Sequence, residues 1–113
     1  MFQQILIEEV CSVMEIVLIH RPIGTIPPDM ATAGLQLGRN AVKKPGEVVP
    51  GGKLIASYYA RAMWLIVCIW EVPKIEALMP FVEQLMMLGW NTEIIPAEKG
   101  EVAVEKIAKA LGL

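Results

Sequence analysis

A chain of 113 residues with 55% apolar and 19% charged side chains makes one domain, greasier than the usual balance of about 45–50% apolar and about 25% charged. A formal net charge of -2 with a pI of about 5.4 excludes the basic field that draws proteins to nucleic acid or anionic lipid. The uncharged run in the central hairpin falls far short of the roughly 20 residues of a membrane span, so a soluble, cytoplasmic protein is expected, with self-association as the economical reason for so much apolar surface.

Met1 to Val13, MFQQILIEEVCSV, fit a short helix or an added strand equally well and are read as an appendage ahead of a single domain covering 14–113. With no basic residue before Arg21 and with Glu8, Glu9 and Glu15, this stretch is expected to be neither signal peptide nor anchor. Cys11 and Cys68 form no C-x-x-C pair and are read as reduced thiols, Cys68 as a small packing residue.

Met14 to Ile19, MEIVLI, is apolar on both faces apart from Glu15, which places it in the middle of a sheet; His20-Arg21-Pro22 ends it. Pro28 suits a first helical position and Asp29 the positive end of the helix dipole, so a helix is predicted from there to about Lys43. Its stripe of Met30, Ala33, Gly34, Leu37 and Ala41 is narrow, and Gly34 and Gly38, one turn apart, point to close approach of this helix to the sheet or to another backbone. Arg39, Lys43 and Lys44 make a basic end that complements the helix C-terminus.

Pro45-Gly46 stops that helix and Pro50-Gly51-Gly52 introduces a hairpin. Its first strand, Lys53 to Ala60, mixes polar and apolar residues as a partly wet edge does; its second, Met63 to Trp70, is an unbroken apolar run that needs a layer on each face. So short a chain can supply helices for one face only, and a second copy is expected to cover the other. Val72-Pro73 leads to a helix with the stripe Ile75, Leu78, Met79, Val82, Leu85 and Met86, in which Pro80 predicts a kink or break near Met79. Gly89 closes it; Trp90 to Pro96, WNTEIIP, is the other edge strand, and a final amphipathic helix spans 99–111.

The predicted class is therefore α+β, a split βαβ plan of four antiparallel strands with the first and third central, plus a C-terminal helix. On the motifs MEIVLIHRP, GGKLIASYYARAMWLIVCIWEVP and WNTEIIP, spanning about 14–96, the chain resembles the ferredoxin-like dimeric α+β barrels. It is most similar to a branch of short bacterial and archaeal proteins of unknown function whose last strand ends in a like E-I-[IV]-P; the muconolactone-isomerase-like branch is more distant. The resemblance implies a homodimer with two sheets face to face and a pocket between each sheet and its helices, near the end of the first strand. The family includes isomerases, cofactor-free oxygenases, haem-degrading enzymes and proteins without known catalysis. Pro80 departs from it in the second helix, where haem-binding branches place a ligand.

By position in that family His20 and Arg21 would stand at the pocket mouth. His20 is the one group that titrates near neutrality and is a candidate general base; Arg21 is a candidate anchor for a substrate carboxylate. Alternation sets the two on opposite faces of the strand, and the plainer role for His20 is a strand-end histidine bonded to backbone. Tyr58, Tyr59, Trp64 and Trp70 are candidate ring contacts for a small apolar or aromatic ligand, or else sheet packing and dimer core. A single histidine without clustered carboxylates or thiols argues against a metal site, and no P-loop, G-x-G-x-x-G, G-x-S-x-G or Cys–His motif calls for a cofactor. Three functions follow: a small-molecule pocket protein, isomerase- or oxygenase-like, with catalysis left open; a non-catalytic dimer acting through association; and an RNA-binding sheet, disfavoured by the acidic charge.

Overall fold

A computed structural model describes residues 13–113; the expected appendage and Cys11 lie outside the described residues, apart from Val13. The elements are β1 (Met14–Pro22), α1 (Pro28–Lys43), a single turn α2 (Pro45–Val48), β2 (Lys53–Ala60), β3 (Leu65–Val72), α3 (Met79–Met87), β4 (Trp90–Ala97) and α4 (Gly100–Ala110). The expected α+β class and four-stranded antiparallel sheet are both present, in the order β2-β3-β1-β4. The two strands with the most apolar sequence, β1 and β3, take the inner positions, because only there are both neighbours available to a backbone that water cannot reach.

Each inner strand alternates sharply. Ile16, Leu18 and His20 of β1, and Cys68, Trp70 and Val72 of β3, are buried, whereas Val17, Ile19, Val67 and Ile69 between them stay partly exposed. The first set is covered by α1 and α3 and forms the core with Leu78, Phe81 and Leu85, where the Trp70 and Phe81 ring centroids lie 5.8 Å apart. Of the described residues, no buried layer lies over the second set. The sheet thus has one finished face and one apolar, uncovered one.

Pro28 occupies the first turn of α1, where its missing N–H costs nothing, and Asp29 follows it. The expected break at Pro80 takes a definite form. Ile75–Leu78 is a 3-10 turn, and the α-helix begins afresh at Met79 with Pro80 in its first turn. Restarting there rotates the helix so that Phe81 is buried while Met86 is 57% exposed.

The hairpin differs more. Met63 is not in the strand but in a 3-10 turn, Arg61–Met63, and Trp64 takes a left-handed conformation at φ 50 before β3 starts at Leu65. β2 carries an irregularity between Leu54 and Ala56 that sets Ile55 outside the ladder.

Gly89 ends α3 at φ 92, and a Cβ built on it would lie 3.3 Å from Ile26 Cγ1. Both the backbone conformation and the close approach need glycine. Gly89→Ala is expected to lower unfolding free energy by about 1–2 kcal/mol, measured by urea denaturation; an unchanged midpoint would mean the turn relaxes freely. Helix α4 has few neighbours in the body. Its Val104, Ile107 and Leu111 are each about 60–70% exposed, and Lys106 reaches back to Glu98 at 2.7 Å.

Candidate functional site

Between the finished sheet face and α1 lies a cavity of about 170 Å³ whose wall includes His20, Ser57, Tyr59, Trp64, Cys68, Phe81 and Trp90. The two α1 glycines roof it. A Cβ on Gly38 would meet the Tyr59 hydroxyl at 2.8 Å, and one on Gly34 would meet Trp90 Nε1 at 3.3 Å. The close approach anticipated for Gly34 and Gly38 is therefore to aromatic side chains rising from the two edge strands. A wider groove of about 620 Å³ along the hairpin tip shares Tyr59, Trp64 and Ile66 with the cavity and forms its vestibule.

His20 is 2% exposed. Antiparallel register puts it opposite Thr92, and its Nδ1 lies 2.8 Å from Thr92 Oγ1. The Phe81 ring stands edge-on to it, centroids 5.9 Å apart at 84°. Its Nε2 is buried with no hydrogen-bond partner among the described residues. Burial without a counter-charge pushes the imidazole pKa down from 6.5 to about 4, so the ring is neutral at pH 7. It holds one proton on one nitrogen and a bare lone pair on the other.

Cys68 and Ser57 face each other across β2 and β3, Sγ to Oγ 3.6 Å. Burial raises the Cys68 thiol, with the Ser57 bond opposing it, so this sulfur is an inert wall group. Tyr59 is raised first by burial and then by Cys68, and keeps its proton. Among the described residues no lysine, arginine, aspartate or glutamate lines the cavity, and no three His, Cys, Asp or Glu side chains gather where they could hold a metal ion.

The structure brings His20, Tyr59 and Trp64 together at this cavity. It does not bring Arg21, Tyr58 or Trp70 there. Arg21 points to the uncovered face and pairs with Glu93 of β4; Tyr58 is 68% exposed on β2, and Trp70 is fully buried in the core with Nε1 unpartnered. His20 is also deep in the wall, not at a rim. Three wall residues, and the Thr92 that holds His20, do not stand out as site residues in the sequence. Thr92 is within reach of it, since both strands can be placed and alternation sets it on the apolar side of β4; Phe81 is hidden by the helical restart at Pro80; Ser57 and Cys68 carry no distinguishing pattern.

No family model matches the chain, and no curated protein matches it. Among the described residues no helix is long and apolar enough to cross a membrane.

Proposed function

We propose that the protein is a homodimer of ferredoxin-like α+β-barrel plan that binds a small apolar or aromatic molecule in the cavity beneath α1. The observation that carries the reading is a buried polar atom, His20 Nε2, unpartnered among the described residues, in a largely apolar wall. Unpaired buried polar atoms are rare and costly, and a ligand group is one way to complete them. In an isomerase- or oxygenase-like reaction the neutral imidazole would serve as proton acceptor. Arg21, on the other face, stands outside this pocket and with Glu93 would flank the dimer contact.

The dimer is supported by the strand order β2-β3-β1-β4 and by the apolar centre of the uncovered face, where Val17, Ile19, Val67 and Ile69 lie together. A second reading, a non-catalytic association module, is favoured by the exposed Val104, Ile107 and Leu111 of α4. The pocket is tested by thermal shift with benzene and toluene at millimolar concentration. A rise of a few degrees is expected from mass action; no shift with either ring leaves the association module as the reading.

A further inference from the structure

We infer that the occupant of this cavity is a neutral, single-ring molecule bearing one hydroxyl, of the phenol or cyclohexanol class, held by a hydrogen bond between that hydroxyl and His20 Nε2. The inference rests on the pocket reading and narrows its ligand on three grounds: size, charge and the number of polar groups.

Size comes first. A cavity of about 150 Å³ lined by aliphatic and aromatic residues is enough for benzene, and this one is about 170 Å³. One six-membered ring with a small substituent fills it, while a second fused ring would have to project into the hairpin groove that shares Tyr59, Trp64 and Ile66. Charge comes second. The lining has no ionised side chain, and burial keeps the imidazole neutral at pH 7. A carboxylate, phosphate or ammonium would be stripped of water with no opposite charge to receive it, a cost far above the gain from burying one ring.

The third ground is the polar count. Ser57 and Cys68 bond each other, Thr92 is engaged with His20 Nδ1, and the Tyr59 hydroxyl and Trp90 Nε1 are packed under Gly38 and Gly34 of α1. Among the described residues, Nε2 is the fully buried polar atom of this wall left without a partner. The Thr92 hydroxyl can donate to Nδ1 or accept from it, so Nε2 presents either an N–H or a lone pair. A carbonyl satisfies only the first state and an amine chiefly the second. A hydroxyl donates or accepts and completes the site in both.

The test compares phenol with toluene, which have nearly the same shape, and adds benzoate and 2-naphthol. In the wild-type protein phenol is expected to bind about tenfold or more tighter than toluene, since toluene leaves Nε2 buried and unpaired; benzoate is expected to show no binding at the same concentration, and 2-naphthol to bind more weakly than phenol. His20 is the chain's only histidine, so its ring nitrogens give an unambiguous 15N spectrum. Phenol is expected to move the Nε2 resonance far more than Nδ1. In His20→Phe the preference should vanish or invert; if that variant does not fold, the wild-type 15N spectrum decides by itself. Equal affinity for phenol and toluene, or an unmoved Nε2, overturns the hydroxyl assignment and leaves the pocket standing. Failure of all four ligands and of benzene removes the pocket with it.

Discussion

Ile69→Asp is expected to turn a dimer into a single-chain species. Ile69 lies mid-way along β3, paired with Val17 of β1 on one side and Ala56 of β2 on the other, so it stands near the centre of the uncovered face. In a two-fold dimer each substitution occurs twice at one seam, and two carboxylates would be desolvated against each other without partners. At a penalty of at least about 2 kcal/mol per buried group, the dissociation constant rises roughly a thousandfold. The subunit itself should lose far less, because the position is partly exposed in the single chain. Sedimentation velocity at micromolar concentration reads the first effect and urea unfolding the second. A wild-type protein that already sediments as one chain ends the dimer reading, and an Ile69→Asp variant that unfolds instead of separating would mean that the face is covered from within.

Acid is expected to destabilise the fold through His20 over a defined window. Its folded pKa is about 4 against 6.5 for a free imidazole, so between those values the unfolded chain takes up a proton that the folded one refuses. The contribution is therefore complete above pH 6.5 and is lost progressively as pH falls toward 4. At about 1.4 kcal/mol for each pH step of one within that window, roughly 2 kcal/mol disappears between pH 7 and pH 5, and about 3 kcal/mol by pH 4. The other titrating groups of the cavity wall, Cys68 and Tyr59, are both shifted upward and stay neutral throughout. Unfolding measured at pH 7, 6 and 5 should show the slope in the wild type and a much shallower one in His20→Phe. An imidazole whose 15N resonances titrate near pH 6.5 in the folded protein would contradict this.

The elements are legible where local chemistry and burial agree. Pro28-Asp29 marks the start of α1, the Pro-Gly pairs mark the ends of the hairpin, and the apolar runs of β1 and β3 mark the inner strands. The reversal near Arg61 is legible but the length of the turn is not, because Met63-Trp64 carries no glycine, proline or asparagine and reads as the start of the second strand. Met63 and Trp64 consequently look like core and are 75% and 62% exposed. The site is half visible. His20 stands out by type, and alternation separates it from Arg21, but its depth depends on Phe81 and Thr92, residues 61 and 72 positions away in the chain that only the tertiary fold brings alongside.

The rims of the sheet bear on how far assembly can go. At one rim Ile55 steps out of the β2 ladder, and at the other Pro96 of β4 has no N–H to donate. Neither border is a good template for another strand. In the proposed dimer, association through the broad apolar surface would saturate after one copy, whereas these borders oppose the lateral addition that runs on into fibres.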